Sequence, residues 1–245
     1  TRDPERDLVK IEIGARLLLL KLGEWSDWVP IDLPTEVPGS AALDAVQAPV
    51  SLPGMVRFYV KQVHPECELY ITPINIDPLR PATPISEPAL AAEQLAAQHG
   101  RYYTLGIPED FNALNEGVLN EDEFLEQAYL AHDERAEQYR RVLAEFESGC
   151  LFYYFGTTDL VSHMFWRDRD PQHPGRDPAQ GDRHASVIDD LYVHCDTLVG
   201  ETLEQLRDND TLLVLSDHGF TTFRRSVNVN RLLWELGYLV LEPGV

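Results

Sequence analysis

The chain has 245 residues, enough for one large or two modest domains with a substantial core, and its 44% apolar share is ordinary for a globular protein. No apolar run approaches the length of a membrane span, and residues 1–10 are too charged for a signal peptide, so the chain reads as soluble, with a cytoplasmic location favoured. A net charge of −21 argues against a nucleic-acid or anionic-membrane surface and is read as a solvated, solubility-promoting exterior.

The three cysteines, Cys67, Cys150 and Cys195, have no paired spacing, which excludes a disulfide framework. Cys150 and Cys195 lie in apolar contexts and are expected in the core.

Residues 8–76 read mostly as strands. Residues 8–13 alternate, 16–22 are apolar, 28–33 alternate again, and two longer runs cover 56–63 and 68–76. No acid/His cluster falls among them. We expect a β-rich insertion or cap over residues 1–80, followed by an α/β metal-binding core portion over 81–245. Residues 77–88, punctuated by Pro78, Pro81, Pro84 and Pro88, form a linker or surface strap. Ser86 can cap a helix over 88–98 that Gly100 stops. Asn120 can cap the next helix, opened by Glu121, Asp122 and Glu123, with Gly149 ending it near residue 147. Phe124, Ala128, Ala131, Tyr139, Val142, Leu143 and Phe146 are its core candidates, and His132, set among charges, reads as a solvated surface histidine.

Two buried-strand patterns then end in chemistry. Cys150-Leu-Phe-Tyr-Tyr-Phe155 is followed by Gly156-Thr-Thr-Asp159-Leu-Val-Ser-His163, and Thr211-Leu-Leu-Val-Leu215 by Ser216-Asp217-His218-Gly219. Short continuous apolar runs are what parallel strands buried on both faces look like, and ligands gather beyond the carboxyl ends of such strands. If the chain turns helical after Thr158, Asp159 and His163 lie one turn apart on one face, where both reach a single cation. Asp217 and His218 offer a second carboxylate and imidazole, with Gly219 turning the backbone beneath them. Two strands each ending in an Asp/His pair make metal binding the preferred reading over simple helix caps.

Between them, residues 167–183 read as a polar loop. Arg167 and Arg169 can bind a phosphate oxygen there, or pair with Asp168, Asp170 and Asp182. His173 lies in the same loop. A helix over 185–207 carries a stripe of Val187, Leu191, His194, Leu198, Leu203 and Leu206, which places His194 in the core or behind a ligand. Residues 208–210 turn the chain into the 211–215 strand, and 228–237 form a short final helix. Strand, helix, strand in this order predicts a parallel βαβ unit and an α/β fold.

The pairing of Asp159-x-x-x-His163 with the later Ser216-Asp217-His218-Gly219 resembles the alkaline phosphatase superfamily, and within it the type I phosphodiesterase/nucleotide pyrophosphatase branch and the phosphohydrolase/phosphomutase proteins near it. The likeness runs on through Phe165-Trp166-Arg167, Asp170-Pro171-x-His173-Pro174 and the helix around Tyr192, Asp196 and Gly200. It covers residues 151–241 and more loosely extends back to about 65. It implies a mostly parallel sheet flanked by helices, here a partial core. It also implies two divalent metals, usually zinc and sometimes manganese, with Asp159 and His163 on one and Asp217 and His218 on the other. The substrate implied is a small phosphorylated molecule, with Arg167, Arg169 and His173 as its candidate contacts.

The family's Thr or Ser nucleophile and its last metal-binding His have no counterpart in this chain. Thr35, in a Pro-rich setting that reads as a loop, is the nearest candidate. The chain is therefore expected to be a fragment of a metal-dependent phosphoric ester hydrolase, inactive without the remainder of the parent polypeptide. A phosphomutase, or a non-catalytic metal-binding or partner-binding domain, is the alternative.

Overall fold

A computed structural model describes residues 1–35, 50–240 and 242. The chain forms two compact units, Thr1–Leu160 and Val161–Val245, and the division falls inside one continuous helix.

The first unit opens with an antiparallel sheet of β1 (Arg2–Asp3), β2 (Leu8–Ile13) and β3 (Arg16–Lys21), in that order. Gly14, at φ 57°, makes the two-residue turn between β2 and β3 in a conformation that an L side chain rarely adopts. A second antiparallel sheet orders β4 (Val29–Thr35), β5 (Val50–Val56) and β8 (Asn75–Ile76). The third pairs β6 (Phe58–Gln62) with β7 (Glu68–Ile71). Alternation sends Val9, Leu20, Val29, Val56, Phe58, Val60 and Val63 into one apolar cluster. Gly54 is required where β5 meets β8, because a Cβ there would stand 2.8 Å from the Ile74 side chain.

Strand content over 8–76 follows the predicted pattern, with three differences. The 56–63 run breaks at Arg57, a buried residue where the chain leaves one sheet for another. The 68–76 run breaks at Thr72 and Pro73, the proline having no N–H for a ladder. Thr35 closes β4, its Cα paired with that of Val50, and does not lie in a loop.

The strap at 77–88 has neither helix nor strand, and its Asp77 is buried and held by Arg101 at 3.0 and 3.2 Å. α1 (Ala91–His99) ends at Gly100, φ 90°. Ser86 Oγ accepts from the Ala92 N–H at 3.0 Å, from further upstream than a normal cap position. α2 (Phe111–Asn115) has no predicted counterpart; Asp110 caps it through the Ala113 N–H. α3 (Glu121–Glu145) starts on a complete capping box: Asn120 accepts from the Glu123 N–H at 3.0 Å and Glu123 from the Asn120 N–H at 2.8 Å.

The buried face of α3 carries Phe124, Leu125, Ala128, Ala131, Ala136 and Tyr139. Val142, Leu143 and Phe146 are only partly covered. His132 is buried on that face, its ring 5.9 Å from Phe155, and is not the surface histidine that its charged neighbours predict. Helical period outweighs local composition here.

α4 (Thr157–Arg169) runs through the division into the second unit, which adds α5 (Val187–Gln205) and α6 (Val229–Glu235). α5 buries Val187, Ile188, Leu191 and Leu198, whereas His194 and Leu203 are exposed, contrary to the predicted stripe. Asn228 caps α6 by accepting from the Arg231 N–H. None of the six helices described is long and apolar enough to cross a membrane.

The fold is mixed α/β, and the sheets among the described residues are small and antiparallel. Residues 150–155 and 211–215 join no strand ladder among them, so the expected parallel βαβ unit is not among the observed pairings. Residues 151–155 nevertheless keep a strand's two-residue period. Tyr153 and Phe155 face α3, at 5.1 and 5.5 Å from the Tyr139 ring, while Phe152 and Tyr154 are exposed. Leu213, Val214 and Leu215 are also exposed. Cys150 is exposed and Cys195 half-buried, so Cys150 is no core residue.

Candidate metal centre

The site is built on the first two turns of α4. The Gly156 carbonyl accepts from the N–H groups of Asp159 and Leu160 at 3.1 and 3.2 Å, which starts the helix directly after the strand-like segment. Asp159 therefore falls in the first turn and His163 one turn later on the same face, as their spacing predicts.

The 216–222 segment brings the third group. Ser216 Oγ donates to the His218 carbonyl, and the His218 N–H donates to Asp217 Oδ1 at 3.1 Å, folding the Ser-Asp-His-Gly turn on itself. His218 Nδ1 lies 3.2 Å from the Gly219 carbonyl. The tautomer that donates there leaves Nε2 with its lone pair for a ligand. Phe220 packs edge-on against both imidazoles, 4.9 Å from His163 and 5.4 Å from His218. It also stacks on Trp166 at 5.7 Å. The two histidine rings are 6.3 Å apart.

One ring nitrogen of His163 and one of His218 lie within 4.8 Å of each other, and Asp159 stands one turn before His163 on α4. Donors around a tetrahedral zinc, about 2.0–2.1 Å from each nitrogen, stand roughly 3.4 Å apart. Small side-chain rotations close that difference. The donor set, one carboxylate and two imidazoles, fits a divalent transition metal. Asp217 stays outside this triad. Its carboxylate is 3.8 Å from His218 Nε2 and almost fully exposed.

The three predicted substrate contacts lie elsewhere along the same elements. Arg167 and Arg169 are on the last turn of α4, not in a loop, because the helix continues to residue 169. Arg167 lies 3.4 Å from the Asp168 carboxylate. Arg169 pairs with Asp189 at 2.8 Å and covers the Trp166 ring at 5.4 Å. His173 Nδ1 accepts from the Gly175 N–H at 3.0 Å in the turn that follows. Arg167 follows His163 by one turn on the same face of α4.

A set of residues outside the predicted site fastens the 216–222 segment to α4. Thr222 Oγ1 accepts from Trp166 Nε1 at 3.3 Å and donates to Asp170 Oδ2; Arg224 pairs with Asp170 at 3.2 Å. The Thr222 hydroxyl, then the Gln172 N–H, then Arg224 hold the Asp170 carboxyl below the usual carboxylate range. Phe220 has a sequence signal, its place directly after the Ser-Asp-His-Gly turn. Thr222 and Arg224 have none, since their partners lie about fifty residues away.

A carboxylate and an imidazole on one helix, with a second imidazole on a Ser-Asp-His-Gly turn, are candidate metal donors in an α/β protein. The model of one family, type I phosphodiesterase/nucleotide pyrophosphatase, matches residues 84–244. The chain belongs to that family, in keeping with the alkaline phosphatase superfamily. Comparison with curated proteins and with solved structures gives no match.

Proposed function

We propose that this chain is the metal-binding portion of a phosphoric ester hydrolase of phosphodiesterase or phosphatase type. The observation that carries the proposal is the closeness of His163 and His218, with Asp159 one turn before His163 on α4, in a chain whose residues 84–244 match the family. Asp159 and His163 are assigned to one divalent cation, and Asp217 and His218 to a second, with zinc or manganese suited to both sets. His218, assigned with Asp217, also lies beside His163. When bound, such cations supply Lewis-acid stabilisation of a phosphoryl group and lower the pKa of an attacking hydroxyl or water.

This chain's own contribution is to hold the donors. α4 fixes the spacing of Asp159 and His163. Phe220, packed on both imidazoles, limits their rotation. The Gly219 carbonyl selects the His218 tautomer. Arg167, Arg169 and His173 are the proposed contacts of a small phosphorylated substrate, Arg169 by exchanging its Asp189 partner for phosphate. The nucleophile, a Thr or Ser in the superfamily, is assigned to no residue here. We assign residues 150–155 and 211–215 to the superfamily's parallel sheet, supported by the strand-like alternation of 151–155. The β-rich residues 1–80 are assigned as an insertion or cap.

The test is hydrolysis of bis(p-nitrophenyl) phosphate and p-nitrophenyl phosphate by the full-length parent, with zinc or manganese supplied. Metal-dependent turnover is expected. Asp217→Asn is expected to lower it at least about 100-fold, beyond the loss typical of a group that only supports a ligand. Bound metal without hydrolysis of either ester contradicts the hydrolase assignment, and near-normal activity of Asp217→Asn contradicts the ligand assignment.

A further inference from the structure

Glu109 is almost completely buried, at 1% exposure, and so is Thr157, the first residue of α4. The Thr157 hydroxyl donates to Glu109 Oε1 at 2.6 Å. Oε2 of Glu109 is buried and makes no hydrogen bond among the described residues. A carboxylate removed from water to bind one hydroxyl is a poor stabilising device, since an apolar pair of the same shape packs at least as well. What the carboxylate adds is direction and negative charge, placed at the positive end of a helix.

The backbone behind Glu109 is pinned. The Asp110 N–H donates to Gln127 Oε1 at 2.8 Å and Gln127 Nε2 donates to the Pro108 carbonyl at 3.3 Å, tying residues 108–110 to α3. Tyr70 donates to Asp110 Oδ2 at 2.7 Å, tying the same residues to β7. Glu109 thus joins a fixed point of the scaffold to the start of α4. Asp159 is two residues beyond Thr157, and His163 rides on the next turn. Metal donors must be held to about 0.5 Å, and a shift or rotation of the first turn moves Asp159 directly.

We propose that Glu109 is a positioning residue for the metal centre, acting through Thr157 to set where α4 presents Asp159. The inference rests on the metal-centre assignment above.

The test is titration of the whole 245-residue chain with Zn²⁺ and, for a spectroscopic signature, Co²⁺. Thr157→Val keeps the side-chain shape and removes the donor; Thr157→Ser keeps the donor. Thr157→Val and Glu109→Gln are expected to bind Zn²⁺ about 10-fold more weakly, the low end of the loss seen when a ligand's support is removed. Their Co²⁺ visible bands are expected to change, with thermal unfolding and far-UV circular dichroism preserved. Thr157→Ser is expected to bind as the unmutated chain does. Unmutated affinity in Thr157→Val overturns the role of Glu109 while leaving the metal centre standing, as does a weakening in Thr157→Val that Thr157→Ser fails to rescue. No cation binding by the unmutated chain overturns the metal centre itself and this inference with it.

Discussion

Glu134→Ala is expected to destabilise the first unit by about 3–5 kcal/mol, the range for removing one partner of a buried ion pair. Glu134, on α3, receives Arg57 Nη2 at 2.9 Å, Trp28 Nε1 at 3.1 Å and the Tyr103 backbone N–H at 2.6 Å. The two charged side chains are 10% and 16% exposed. Arg57 is boxed in by the Trp28 ring at 4.7 Å and the Tyr103 ring at 5.8 Å, and its other arm donates to the Ser26 carbonyl. Alanine therefore strands a guanidinium that cannot swing into water, together with two N–H donors. A surface pair would lose only about 0–1 kcal/mol. Urea unfolding followed by far-UV circular dichroism reads the difference. Arg57→Met combined with Glu134→Leu is expected to recover most of the loss, because no charge is then left buried. A loss below about 1 kcal/mol for Glu134→Ala, with an unchanged denaturant slope, refutes the reasoning and places the pair in effective solvent.

Two further outcomes follow from local electrostatics. Burial raises the Cys195 thiol above its ordinary pKa, so at pH 8 iodoacetamide is expected to label exposed Cys67 and Cys150 quickly and Cys195 slowly, as read by peptide mass spectrometry; equal rates at all three contradict the burial. Asp170 titrates below the carboxylate range when folded, so its contribution to stability is complete above its unfolded pKa, about 3.9, and is lost as pH falls through the lowered value. Thr222→Val is expected to move that titration upward and to narrow the stability gap to the unmutated chain at low pH. Unchanged carboxyl chemical shifts across the titration contradict the Thr222 bond.

The first sheet was legible because strand patterning is a local signal: β2 alternates in sequence, β3 is a short apolar run, and the two pair from Leu8–Lys21 to Ile13–Arg16. The break at Arg57 was not. A buried cation has no pattern of its own and is tolerated only through Glu134, a partner on α3 far along the chain. α2, five residues long, is too short for periodicity to register. His132 misled because its neighbours in sequence are charged, while its neighbours on the helix face, Ala128 and Ala136, are buried.

At the site, the spacing of Asp159 and His163 was enough, since one helical turn fixes their relation. That His218 rather than Asp217 comes up to His163 depends on how the Ser-Asp-His-Gly turn folds, and on Phe220, Thr222 and Asp170 fastening it to α4. Composition predicts a loop at Arg167 and Arg169 because Pro171 and Pro174 follow so closely, whereas α4 continues through both arginines before the prolines begin.

The most direct test of the central claim is calorimetric titration of this chain with Zn²⁺, beside His163→Ala, His218→Ala and His173→Ala. The account predicts saturable binding by the unmutated chain and by His173→Ala, and losses of at least about 100-fold for each of the other two, larger than removing a supporting group would cause. Binding that survives in both His163→Ala and His218→Ala would contradict it.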